Sequence, residues 1–186
     1  MNLTELRAFA DARTTRSAFR LETLDRYDVD SDQDNFRRYL AGEDGPSWAA
    51  GDEWMDYLAA ERASGIRRYR VHVFASPLSP YLRYECEWGY VYTSQAGEEI
   101  YILDTAETAR PGGLLDEEFW LYDDRWVVVM HYDNQGRFTD AVALPESETP
   151  RYRRQRDLAL AAAVPFSSWW EAHPENRRKE WLPARG

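Results

Sequence analysis

The sequence predicts a single α+β domain, a mostly antiparallel sheet flanked by helices. Three observations carry that expectation. Segments that alternate apolar and polar side chains recur along the chain and crowd its second half, stretches with helical apolar spacing lie between and after them, and 186 residues suffice for one domain with a core. The 8 Trp, 12 Tyr and 7 Phe supply enough apolar surface to offset chain entropy, so the chain should fold rather than stay disordered.

Taken in order, Leu3, Leu6, Phe9 and Ala10 repeat at helical spacing behind Asn2 or Thr4 as a cap. Residues 17–22 alternate, with Phe19 and Leu21 on one side and Arg20 and Glu22 on the other, the pattern of a half-buried strand. The acidic run at 28–34 suits the positive end of a helix anchored by Phe36, Tyr39 and Leu40; it lacks the glycine and closing glutamate of a calcium loop. A second helix spans 52–62, with Gly65 as the residue that ends it. Residues 66–75 then set Tyr69, Val71 and Val73 opposite Arg68, Arg70 and His72, again a strand. Ser79 followed by Pro80 starts a helix that runs to about Tyr92. Strands are expected at 99–103, 119–122, 125–132 and 137–144, the last three a meander, followed by helices at 149–164 and 167–172. The domain is expected to span 1–173, with 174–186 a mobile basic tail.

Charge and composition exclude several functions. The net charge is −10, distributed as +4 over residues 151–186 and −14 over the rest, and an acidic body repels phosphate backbones. Direct nucleic-acid binding is therefore not expected. A mean hydropathy of −0.71 and no long uncharged apolar run argue against a membrane span. The opening residues Met1-Asn2-Leu3-Thr4-Glu5-Leu6 show no basic segment leading into an apolar one, so a cytoplasmic location is expected. Cys86 stands alone, and His72, His131 and His173 have no ligand spacing, so neither a metal nor a cofactor is expected.

Three constellations are candidates for chemistry. The helix from Pro80 carries Tyr81, Arg83, Tyr84, Glu85, Glu87, Trp88 and Tyr92, and at α-helical spacing Tyr81, Glu85 and Trp88 share one face. Such a stripe stacks on a ligand or packs on a sheet. In the meander, Trp120 and Tyr122 share a strand face, while His131 and Asp133 follow on the next strand near the Asp123-Asp124 turn. A histidine beside an aspartate is either a general base or a satisfied sheet-edge residue. Glu22, Asp25 and Tyr27 follow the first strand, where burial would split two carboxylates into an acid and a base, or Arg20 and Arg26 would pair with them. The catalytic candidates are thus Glu22, Asp123 and His131; the ligand-binding candidates are Tyr27, Arg83, Tyr84, Trp88, Trp120 and Tyr122. If Glu22, Arg83, Asp123 and His131 share one cavity walled by Trp88 and Trp120, it suits a cationic or zwitterionic small molecule.

The motifs Ser17-Ala18-Phe19-Arg20-Leu21-Glu22, Asn35-Phe36-Arg37-Arg38-Tyr39-Leu40-Ala41-Gly42-Glu43, Tyr81-Leu82-Arg83-Tyr84-Glu85, Phe119-Trp120-Leu121-Tyr122-Asp123 and His131-Tyr132-Asp133 occur in an order that resembles the uncharacterised actinobacterial domain of unknown function family 6879. Pro80 departs from the acidic residue usual there. The resemblance implies little chemistry. It implies an auxiliary or regulatory role through complex formation, because such proteins are encoded beside helix-turn-helix regulators and small acidic partners. The expected function is accordingly a binding protein, a partner in a regulatory complex or a homo-oligomer. The alternative is an enzyme or enzyme subunit of a specialised-metabolite pathway that moves protons on an amine-bearing molecule.

Overall fold

Asn2 caps the first helix by a reciprocal box: its side chain accepts from the Glu5 amide at 2.9 Å, and the Glu5 carboxylate accepts from the Asn2 amide at 2.8 Å. The computed structural model describes residues 1–29, 32–47 and 53–181. Its elements are α1 (Leu3–Asp11), β1 (Ser17–Glu22), α2 (Gln33–Leu40), α3 (Glu53–Ala63), β2 (Arg67–Phe74), α4 (Pro80–Tyr84), a π-helical segment (Glu85–Tyr90), α5 (Val91–Ala96), β3 (Glu99–Asp104), β4 (Glu118–Tyr122), β5 (Trp126–Tyr132), β6 (Phe138–Ala143), α6 (Thr149–Ala162), β7 (Val164–Pro165), α7 (Phe166–Ala172) and α8 (Arg178–Trp181).

The strands form one seven-stranded sheet in the order β6-β5-β4-β1-β2-β3-β7. Neighbours β1, β2 and β3 are parallel, and every other pairing is antiparallel. The domain is therefore α+β and mostly antiparallel, as the sequence predicts, with a parallel centre that strand patterns do not reveal. Parallel neighbours need crossovers. Helices α2 and α3 make the first, and the helical stretch from α4 to α5 makes the second. Gly97, at φ 123°, ends that stretch; a Cβ there would come within 2.6 Å of the Arg62 side chain. The sharp turn delivers Glu98 to its place under β2.

Register separates the two sheet faces. Phe19, Leu21, Tyr69, Val71, Phe119, Leu121 and Val127 all point one way, and Tyr152 and Ala159 of α6 close over them. Arg20, Glu22, Arg70, His72, Glu118 and Trp120 point the other way. The alternation in β1 and β2 reads as half-buried, yet both faces are covered, because these strands lie at the centre of the sheet with helices on each side. No helix among the described residues is long and apolar enough to cross a membrane.

The segment expected as a mobile tail docks as far as Trp181. Arg83 Nη1 donates to the Glu175 carbonyl at 3.0 Å, the Arg178 amide donates to Glu87 at 2.7 Å, and Trp181 packs on Tyr39 with ring centres 5.9 Å apart. Polarity alone hides this, since the anchor is one tryptophan, backbone contacts, and Arg178, whose guanidinium donates to the Glu43 carbonyl and lies over Tyr39 and Trp88. Residues 182–186, Asp30 and Ser31 of the acidic run, and Asp52 at the expected start of α3 lie outside the described residues.

Candidate functional site

Side chains on the charged face of β1, β2 and β4 meet in a buried network. Arg20 Nε donates to Glu22 Oε1 at 2.7 Å and Arg20 Nη2 to Glu118 Oε2 at 3.1 Å. Arg70 Nη1 donates to Glu22 Oε2 at 2.9 Å, while its Nε and Nη2 donate to Glu98 Oε1 at 2.9 and 2.6 Å. Tyr27 closes the network by donating to Glu118 at 2.9 Å. Removing charges from water is costly unless each finds partners, and here the guanidinium forks supply them. Burial alone would raise the Glu22 pKa, but Arg70 and Arg20 beside it hold it far below the usual carboxylate range.

His72 lies at the edge of this network, fully buried. Its Nε2 is 2.9 Å from the Leu24 carbonyl, which only accepts, so that nitrogen carries the proton. Burial lowers the His72 pKa and keeps the ring neutral, leaving Nδ1 to accept from the Tyr90 hydroxyl at 2.7 Å. The same hydroxyl lies 3.0 Å from Glu22 Oε2. Glu85 completes the group, with Oε2 3.5 Å from His72 Nδ1. That oxygen is buried and has no hydrogen-bond partner among the described residues. Burial, reinforced by the charge of Glu22, pushes the Glu85 pKa well above its ordinary value.

The π-helical segment explains how Glu85 and Tyr90 reach one place. In an α-helix, residues five apart diverge by about 140° around the axis. The i→i+5 bonding of Glu85–Tyr90 widens the turn and brings both side chains to the sheet. Above them opens a cavity of about 830 Å³, in the range of small-molecule sites. Trp54, Tyr57, Tyr81, Tyr84 and Tyr90 wall it; Asp32, Glu53 and Glu85 bring acid, Arg7 and Arg70 bring base. Thr93, 7% exposed, also lines it, and its hydroxyl has no partner either.

Glu22, His72 and Glu85 offer donor atoms within 4.8 Å of one another, the donor types of a divalent-cation site. Both Glu22 oxygens, however, are taken by guanidiniums whose positive charge opposes a metal ion between them. The chemistry of the group favours a proton on Glu85 over a metal.

The structure brings some of the sequence candidates together and separates others. Glu22 and Tyr27 belong to the network, Trp120 lies beneath Arg20 at 5.2 Å, and Tyr84 walls the cavity. Asp123 does not join them. It sits at the far end of β4, where its carboxylate accepts from the amides of Thr15, Arg16 and Ser17 and fixes the turn into β1. His131, beyond the opposite end of β4, pairs on the surface with Asp140 at 2.9 Å rather than with Asp123 or Asp133. Arg83 holds the 174–181 segment, Trp88 turns to Tyr39 with centres 5.3 Å apart, and Tyr122 packs on Phe9 of α1. The cavity shared by Glu22, Arg83, Asp123 and His131 is thus overturned: these groups lie on different sides and ends of the sheet. Tyr90, Arg70, Glu98 and Glu118 are not among the sequence candidates, and Glu85 is among them only as part of the aromatic stripe on the Pro80 helix. The available signal was a basic strand face at Arg68, Arg70 and His72 in a chain this acidic.

No curated protein matches the chain. The profile of one family, Domain of unknown function (DUF6879), matches residues 4–171, a span that holds every residue of the network and the cavity wall. On that match the chain belongs to the family Domain of unknown function (DUF6879).

Proposed function

We propose that the protein works by binding an amine-bearing small molecule, cationic or zwitterionic, in the cavity between α2, α3 and the α4–α5 stretch. The observation that carries this reading is the pair of buried, unpartnered oxygens, Glu85 Oε2 and Thr93 Oγ1, in the lining of an aromatic-walled cavity. A buried polar atom without a partner costs about 1–3 kcal/mol, a cost that a ligand donor or acceptor relieves. The aromatic rings suit an ammonium through cation–π contact. Arg70 spends three of its N–H donors on Glu22 and Glu98, which leaves two for the carboxylate of a zwitterion. An apolar docking face receives less support, since the exposed large apolar residues among the described ones, Leu3, Val29, Leu40, Val142 and Val164, sit on separate segments. Within a regulatory complex of the kind the family resemblance implies, the cavity would be the ligand-sensing part.

Benzylamine, phenylalanine, benzyl alcohol and phenylacetate share a ring and differ in charge. Titrated into the labelled protein, the first two should shift the amide resonances of Tyr81, Tyr84 and Thr93, and the last two should not. Binding of none of them, or equal binding of all, overturns the reading. A second reading, proton transfer on such an amine, is favoured by one observation: the Glu22 and Glu85 carboxyls meet in one cluster and their ionisation is pushed in opposite directions. Its test is turnover that disappears in Glu85→Gln while binding persists.

A further inference from the structure

The charged face does not balance. Glu22, Glu61, Glu85, Glu98 and Glu118 bring five carboxyls, against the three guanidiniums of Arg20, Arg68 and Arg70. Buried charge without compensation is too costly to persist, so protons or a cation must make up the difference. Glu118 spends its oxygens on Arg20, Thr23 and Tyr27, and Glu22 spends its own on Arg20 and Arg70. Glu85 differs from both. Glu98 also keeps one buried oxygen without a partner, but it pairs with Arg70; Glu85 faces the cavity, and among the described residues one of its oxygens has no hydrogen-bond partner and no guanidinium pairs with it.

We propose that Glu85 is the ammonium-binding residue of the cavity and that it ionises as the amine arrives, releasing its proton to solvent. This rests on the amine-binding reading above. The groups around Glu85 fit the step. From β1 and β2 it meets Glu22, Arg20, Arg70 and His72, and across the cavity Asp32 and Glu53; Tyr81, Tyr84 and Tyr90 stand on its own helical stretch. In the empty cavity Glu22 and burial keep the Glu85 proton in place. An ammonium placed between Glu85 and the tyrosines supplies positive charge in place of that proton, so the Glu85 O–H bond breaks, the carboxylate accepts an N–H of the ammonium, and one proton leaves for each amine bound. His72 takes no part in the release, because its burial and its bond to Leu24 keep it neutral. A neutral alcohol of the same shape supplies no charge and displaces no proton.

The test is calorimetric titration of benzylamine in two buffers of different ionisation enthalpy. Release of roughly one proton per amine is expected, with affinity rising about tenfold per pH unit while Glu85 is protonated in the free protein. In parallel, the infrared band of a protonated carboxyl should vanish on benzylamine binding and should be missing in Glu85→Gln. Glu85→Gln should bind benzylamine at least tenfold more weakly and release no proton. Benzylamine that binds without proton release, or that leaves the infrared band in place, overturns the role of Glu85 while the cavity reading stands. Failure of benzylamine to bind wild-type protein overturns both. Should Glu85→Gln not fold, the wild-type proton count and infrared band decide alone.

Discussion

Leu21 and Glu22 are neighbours in the chain, both almost fully buried, and they face opposite sides of one sheet. The Leu21 side meets Phe19, Val71, Phe119 and helix α6, a mainly apolar layer. The Glu22 side meets two arginines, a histidine, a tyrosine and a cavity. Either layer would serve to bury β1. Apolar contacts stabilise whatever the pH, whereas a buried ion network contributes only while every partner is present, and replacing such networks by apolar groups is often neutral or stabilising. A buried ion network beside an open cavity is what the proposed ligand-binding role calls for, and the fold alone does not require it.

The largest effect should come from breaking that network at its centre. Glu22→Gln leaves Arg20 and Arg70 facing each other without their shared carboxylate, a loss on the order of 3–5 kcal/mol in urea unfolding. Leu21→Ala should cost about 2–5 kcal/mol by leaving a cavity under α6. The two are told apart by pH. The Glu22 pKa is depressed in the folded state, so its contribution is present above its ordinary value of 4.5 and disappears as pH falls through and below that value. The Glu22→Gln penalty should shrink on acidification, and the Leu21→Ala penalty should not. Equal pH dependence would mean the two faces hold β1 by the same physics.

Glu85 sharpens the comparison, because it should run with the opposite sign to Glu22. Its folded pKa is raised, so the native state keeps a proton that the unfolded chain has lost, and its contribution falls as pH rises from about 4.5 toward the folded value. Wild-type stability should therefore drop relative to Glu85→Gln as pH rises above the ordinary value of 4.5, read from urea midpoints. A flat difference would show Glu85 ionised before any amine binds and would remove the bound proton on which its proposed role depends.

Much of the fold was legible because period and punctuation are local. Phe19 and Leu21, Tyr69 and Val71, and the Ser79-Pro80 cap mark their elements within a few residues, and each lies where the spacing puts it. The site was less legible, for two physical reasons. Glu85 and Tyr90 share a face only because the helix opens to i→i+5 bonding, which no α-helical period reveals. Arg70 and Glu22 alternate with apolar neighbours as a solvated strand face does, and only the crossovers that cover the sheet turn that face inward. Glu22 and Tyr27 were found because they follow a strand closely. Asp123 and His131 do not meet, because the strands of the meander hold them at opposite ends.

Those two residues give the smallest expected effects. Asp123 has φ 51° and a half-exposed carboxylate that accepts from three consecutive amides, so Asp123→Ala loses hydrogen bonds and a residue type that tolerates this backbone. After allowance for solvent screening the cost should be about 1 kcal/mol. His131→Gln removes one surface pair with Asp140, which side chains half exposed on both partners make too weak to register in the same unfolding assay. Neither change should alter the benzylamine affinity, since both positions lie outside the network that floors the cavity. Weakened binding in His131→Gln would place the ligand on the meander, and the distinction drawn between the two faces of β1 would then describe the packing of the protein without locating its function.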